Sequence, residues 1–145
     1  MNTENLNVPT KKGSRVWLWA AIGLVLMLAA GACANQPAVA SLPAEVNVAR
    51  AAELRDQGAF MLDVREPVEW QELHIPGATL IPLGELASRV SEVPKDQPIV
   101  VYCRSGNRSQ SGRDILKQAG FQNVTSMAGG VNDWYASGYE VESGQ

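Results

Sequence analysis

One thiol in this 145-residue chain stands where a nucleophile would stand. Ile99-Val100-Val101-Tyr102 is a short, β-branched apolar run closed by Cys103, and Arg104-Ser105-Gly106-Asn107-Arg108-Ser109 follows as a polar loop entering a helical pattern. That order puts the sulfur at the carboxyl end of a buried strand. Inward-facing backbone N–H groups and the partial positive charge of a helix N-terminus lie beside it. Gly106 permits a dihedral that a side chain would penalise, and Arg104 and Arg108 bring cations. Such surroundings favour the thiolate, the reactive form of the group. The competing reading is a buried cysteine serving as a small hydrophobe. Filler needs neither cations nor a permissive loop, so the pattern points to nucleophilic, anion-handling chemistry at Cys103.

The flanking elements must hold that loop in place. Asn47 is a plausible N-cap for a helix over Val48 to Gln57, ended by Gly58. The apolar run from Ala59 to Val64 suits a buried parallel strand. Pro67 suits the first turn of a short helix through about Leu73, and a turn at Ile75-Pro76-Gly77-Ala78 leads into a brief strand from Thr79 to Ile81. Gly84 to Val90 reads as a second short helix, Ile99 to Cys103 as a strand, and Ser109 to Ala119 as a helix stopped by Gly120. Val124 to Met127 reads as a strand, and Val131 to Ser137 as a last helix after the Gly129-Gly130 turn. Strands alternating with helices at short spacing predict an α/β fold, a mainly parallel sheet with helices on both faces. Ligands of such sheets sit beyond the carboxyl ends of the strands. Cys103 falls there, and so do Asp63 and Arg65 at the end of a different strand.

The first third differs from the rest. Residues 1–15 carry Lys11, Lys12 and Arg15 against Glu4, and Val16 to Ala34 holds no charge and is dense in Leu, Ala, Val and Trp. A basic flank, an apolar stretch and small residues at its end describe an export signal, and the run also approaches the length of a membrane span. Ala30-Gly31-Ala32-Cys33 resembles the lipobox of bacterial lipoproteins, with Ala30 where leucine is usual, which makes Cys33 a lipidation candidate. Lipoprotein, cleaved signal and retained helix all place the bulk of the chain on the outer side, in the bacterial envelope or periplasm. The reading divides the chain into a signal or anchor (1–34), a tether (35–44), a domain (45–141) and a tail (142–145). Residues 1–32 hold three of the twelve Lys+Arg and one of the fifteen Asp+Glu, so the remainder is net −5. Nucleic acid is a poor partner for such a surface, and membrane contact is expected through the N-terminus alone. With Cys33 acylated or removed, Cys103 is the only thiol left, and no internal disulfide can form.

Four motifs, in order, resemble single-domain rhodanese-like sulfurtransferases over roughly residues 45–141. They are Leu62-Asp63-Val64-Arg65-Glu66, His74-Ile75-Pro76-Gly77-Ala78, the loop Cys103 to Ser109, and Ala128-Gly129-Gly130-Val131 with Trp134. One departure is Leu73, where many relatives have glycine. The resemblance implies sulfur transfer by double displacement without metal or organic cofactor. A thiosulfate-like anion would load Cys103 as a persulfide, and cyanide, a thiol or a partner protein would take the sulfur away. It also implies an anion cradle of Arg104, Ser105, Gly106, Asn107, Arg108 and Ser109, with Arg104 and Arg108 attracting the donor. Asp63 and Arg65 would support the loop, either as a structural ion pair or through substrate. For Glu69 the expectation is a solvated helix face, for His74 a structural hydrogen-bonding role, and for Trp134 and Tyr135 packing.

Two other functions compete. Cysteine phosphatases and arsenate reductases use C-x5-R loops, one residue wider than the C-x4-R of Cys103 to Arg108. A sulfane-sulfur carrier, or an interaction module without turnover, would use the same scaffold.

Overall fold

A computed structural model of the chain describes residues 41–144. The expected export or anchor segment, its Cys33 and most of the tether lie outside the described residues. No helix among the described residues is long and apolar enough to cross a membrane.

The elements run β1 (Glu45–Val46), α1 (Val48–Asp56), β2 (Phe60–Asp63), α2 (Pro67–Glu72), β3 (Thr79–Leu80), α3 (Leu83–Leu86), β4 (Ile99–Tyr102), α4 (Asn107–Gln118), β5 (Val124–Met127) and α5 (Gly130–Ala136). The five strands form one sheet in the order β1-β5-β4-β2-β3, and every pairing is parallel. β4 lies at its centre, and its four residues are all buried, as a run of Ile, Val and Tyr requires.

Alternation along β4 divides the core. Val100 and Tyr102 pack with Ala51, Leu54, Met61, Met127 and Trp134 on the side of α1 and α5. Ile99, Val101 and Cys103 pack with Leu62, Val64, Leu86, Leu116 and Val124 on the side of α3 and α4. Helices therefore cover both faces of the sheet, as the strand–helix alternation predicts. The chain leaves β2 toward β3 and leaves β4 toward β5, in opposite directions. That is the switch point at which an open parallel sheet forms a crevice, and Asp63 is in register with Tyr102 there.

Most element ends fall within a residue or two of expectation, and a few differences matter. α4 starts at Asn107 instead of Ser109, because Gly106 (φ 100°) turns the chain straight into the helix. The expected helix from Gly84 to Val90 stops at Leu86 and is followed by a single 3-10 turn over Val90–Glu92. Leu86 is its only buried residue, and the Ser88 hydroxyl donates to the Glu85 carbonyl at 2.8 Å, competing with the helical bond. β1 has only two residues and no periodicity to reveal it, yet it pairs with β5. The Leu42 N–H reaches Asn123 Oδ1 at 3.2 Å, so the described end of the tether lies against the domain. At the other terminus Glu142 bridges to His74, and the Gly144 N–H donates to the Gln71 carbonyl at 3.1 Å. Pairing thus extends past the expected domain end at 141.

Candidate active site

β4 delivers Cys103 to the switch point with its side chain almost wholly buried (1% exposed). Burial alone is what filler would show. The Gly106 N–H, however, points at Sγ from 3.2 Å. The carbonyls of Cys103 and Arg104 are meanwhile taken by the first turn of α5: Val131 N–H donates to Cys103 at 2.8 Å and Asn132 N–H to Arg104 at 3.1 Å. Carbonyl and N–H point opposite ways across a trans peptide. These two bonds therefore turn the N–H groups of Arg104 and Ser105 away from α5. With those of Asn107 and Arg108 they find no protein acceptor among the described residues. Unspent backbone donors in one short loop are a feature that stabilises an anion. Ser109, the last residue expected in the cradle, is buried and donates its hydroxyl to the Gly106 carbonyl at 2.7 Å, pinning the first turn of α4.

The Gly-Gly turn is what allows the loop to seat on α5. Gly130 has φ 60°, and a Cβ there would run into the Cys103 carbonyl and the Arg104 backbone. A Cβ at Gly106 would lie 3.1 Å from the Gly129 nitrogen.

The arginines are not arranged as expected. Arg108 forks onto Glu69, with Nη1–Oε2 at 2.7 Å and Nη2–Oε1 at 2.8 Å. Arg104 gives Nε to Glu69 at 3.1 Å and Nη2 to Glu72 at 3.0 Å. Glu69 also accepts the Glu66 N–H at 3.1 Å. Its side chain is only 14% exposed, so the solvated face expected for it is corrected: Glu69 ties α2 to the thiol loop. The Arg108 hydrogen bonds hold its carboxyl down at about 2, against a partial opposing effect of burial. Glu69 in turn raises the Arg108 guanidinium above its ordinary value. One signal could have revealed this. Glu69 and Glu72, three apart, share a helix face, matching two arginines across the loop.

Asp63 and Arg65 form an ion pair that water does not reach (0% and 1% exposed). Arg65 gives Nε to Asp63 Oδ1 and Oδ2 at 3.0 and 2.9 Å and Nη2 to Oδ2 at 2.6 Å. It also donates to the carbonyls of Glu69 at 3.2 Å and Leu73 at 2.8 Å. Burial pulls this guanidinium down, but the Asp63 bonds and charge outweigh it, and the net shift is upward. The pair ties the end of β2 to α2 and the residue after it. Beside it Tyr102 is buried, which raises its phenol, and its hydroxyl accepts the Ile75 N–H at 3.3 Å.

His74 has both ring nitrogens engaged, Nδ1 with the Trp70 carbonyl at 3.0 Å and Nε2 with Glu142 at 3.1 Å, and its ring stacks on Trp70 at 3.6 Å. Neither nitrogen is paired with the thiol. Trp134 is buried, with Nε1 donating to the Glu140 carbonyl at 2.9 Å. Tyr135 is 61% exposed, so packing expected for it is corrected. Between α2, the thiol loop and α5 lies a cleft of about 100 Å³ lined by Arg65, Glu72, Leu73, Arg104, Val131 and Asn132. No metal-ligating cluster occurs among the described residues.

Residues 47–137 match the model of the rhodanese-like domain. A sulfurtransferase of Allochromatium vinosum is 35% identical over 85 residues, covering 59% of this chain and 79% of that protein. Thiosulfate sulfurtransferase GlpE of Pseudomonas syringae pv. syringae is 39% identical over 85 residues, covering 59% and 80%. Other relatives are longer. The chain covers 43% of a Bacillus subtilis protein named for a sulfur-carrier role, at 39% identity over 79 residues and 54% of this chain. Among solved structures, a rhodanese-related protein of Thermoplasma volcanium superposes with a TM-score of 0.64 at 32% identity, covering 69% of this chain and 98% of that one.

Proposed function

The chain belongs to the rhodanese-like family, and on that premise we propose that it moves sulfane sulfur from a thiosulfate-like donor to a thiophilic acceptor through a persulfide on Cys103. The Cys103 thiolate attacks the outer sulfur of the donor. The new Sγ–S bond forms as the donor's S–S bond breaks, and sulfite leaves with that electron pair. An acceptor (cyanide, a thiol or a partner protein) then attacks the terminal sulfur and returns the thiolate. Charge stays balanced in both steps, and the protein supplies no electron. The Gly106 N–H aimed at Sγ from 3.2 Å, in a loop whose neighbouring N–H groups have no protein acceptor among the described residues, is the observation that supports this reading, since each intermediate places negative charge on sulfur at that spot. Catalysis of this kind needs a nucleophile and preorganised donors, both present in the loop.

Two observations favour sulfur over phosphate. The loop is one residue shorter than a C-x5-R cradle, and the Arg108 fork is spent on Glu69 instead of facing the loop centre. Delivery to the bacterial envelope by residues 1–34, with Cys33 as an acylation site, is part of the same proposal. Intact-mass analysis tests the chemistry. Incubation with a sulfane donor adds one sulfur, roughly +32 Da, at Cys103; cyanide removes it as thiocyanate; and the Cys103→Ser variant takes none. Loading without turnover to any acceptor would make the chain a carrier. No loading at Cys103 would sink the proposal.

A further inference from the structure

Resting on the sulfur-transfer reading, we propose that Glu69 is a positioning residue for that reaction: through Arg104 and Arg108 it fixes both ends of the thiol loop and so holds the Gly106 N–H on Sγ. One carboxylate collects donors from both ends of that loop. Its Oε2 accepts Arg108 Nη1 at 2.7 Å and the Glu66 N–H at 3.1 Å. Its Oε1 accepts Arg108 Nη2 at 2.8 Å and Arg104 Nε at 3.1 Å. Arg104 directly follows the nucleophile, and Arg108 lies in the first turn of α4. Between them Ser105 and Asn107 are exposed, whereas Gly106 is buried with its N–H 3.2 Å from Sγ.

Glu69 is itself fixed from the sheet. Arg65, at the end of β2, donates Nη1 to the Glu69 carbonyl at 3.2 Å, and Arg65 is buried against Asp63. Asp63 is in register with Tyr102, the residue before Cys103. Glu66 and Glu69 also exchange side-chain and backbone bonds at the start of α2. The carboxylate therefore has a defined place relative to the strand that carries the thiol. The loop is held between two supports. α5 takes the carbonyls of Cys103 and Arg104, and Glu69 takes the guanidinium groups of Arg104 and Arg108. Gly106, at φ 100°, lies between these anchors. A glycine offers little resistance to backbone rotation, so the aim of its N–H depends on how its neighbours are held.

Two simpler roles for this carboxylate predict different behaviour. A bare counter-charge would keep the arginines from an anionic donor, so its removal would improve donor capture and leave the loading step alone. A bare tie between α2 and α4 would affect unfolding and leave the kinetics of the folded chain alone. The geometry points to positioning, because a bidentate fork fixes orientation as well as charge. Glutamine separates the three. It keeps the shape, but its NH2 is a donor. Whichever way that amide turns, one Arg108 nitrogen faces it donor to donor, and the fork cannot close.

The test follows single-turnover sulfur loading of Cys103 from sodium thiosulfate by intact mass, on full-length chains well below their thermal midpoints. Glu69→Gln is expected to load about tenfold more slowly at saturating thiosulfate, with the half-saturating concentration within about twofold of wild type. Arg108→Lys keeps the charge but cannot fork, and probes the same contact from the loop side; it is slowed to a similar degree. The double variant is little slower than either single one, because both remove one interaction. Ile99→Val trims the buried amino end of β4, away from the loop. It lowers the thermal midpoint and loads at the wild-type rate. A wild-type saturating rate in Glu69→Gln would overturn the assignment. So would an effect confined to the half-saturating concentration, or losses that multiply in the double variant. A wild type that takes no sulfur would overturn the sulfur-transfer reading and this assignment with it; the other outcomes, in a wild type that loads, overturn this assignment alone.

Discussion

Replacing Glu69 with glutamine keeps the shape of the side chain that ties α2 to the thiol loop but removes its charge. The carboxyl sits at about 2 in the folded chain against an ordinary 4.5, chiefly because of the Arg108 fork. At roughly 1.4 kcal/mol per unit, that difference corresponds to about 3 kcal/mol. Arg108 is 35% exposed and Arg104 50% exposed, so solvent screening reduces the loss to about 1–2 kcal/mol. For a domain of this size the thermal midpoint should fall by about 5–12 °C. The pH dependence has a definite sign. A carboxyl whose folded value is depressed contributes stability that is present above about 4.5 and lost as pH falls through about 2. The gap between wild type and Glu69→Gln is therefore full at pH 7, less than about half as large at pH 3, and closed near pH 2. Urea unfolding followed by circular dichroism at pH 7 and pH 3 measures it. A gap below about 0.5 kcal/mol at pH 7, or one unchanged at pH 3, would refute the reasoning.

Gly130→Ala forces a Cβ into the Cys103 carbonyl at a left-handed φ; it should cost about 2–4 kcal/mol and abolish sulfur loading, read by thermal melts and intact mass. Asp63→Asn leaves the Arg65 guanidinium buried without its counter-charge; a loss of about 3–5 kcal/mol, seen as a lowered urea midpoint, is expected. The proposed acylation of Cys33 predicts that the chain from the membrane fraction of a bacterial expression host exceeds the polypeptide mass from Cys33 onward by its acyl groups, and that Cys33→Ala carries no acyl mass. A wild-type chain without acyl mass would leave lipidation at Cys33 without support.

The strand–helix order and the switch-point placement of Cys103 were legible because they rest on local signals. Ile99 to Tyr102 reads as a buried strand from composition alone, and Gly106 and Gly129-Gly130 mark turns that side chains cannot make. Asn47 stands before a regular amphipathic run, and its side chain does cap α1, accepting the Arg50 N–H at 2.9 Å. The electrostatics of the mouth were not legible. Whether Arg108 faces a ligand or Glu69 depends on how α2 is laid across the loop, and the buried Asp63–Arg65 strut sets that through carbonyls four and eight residues along from Arg65. β1 and the His74–Glu142 bridge stayed hidden for the same reason. Their residues carry no periodic pattern, and their partners are distant in sequence.

The central claim is that the backbone N–H groups of Arg104 to Arg108 hold the outer sulfur of a Cys103 persulfide. A crystal structure of the sulfur-loaded chain measures this most directly. It should show one added atom bonded to Sγ, with several of those N–H groups at hydrogen-bonding distance and the Glu69–Arg108 fork unbroken. An added sulfur turned out of the loop toward side chains, with those amides still unoccupied, would contradict the account.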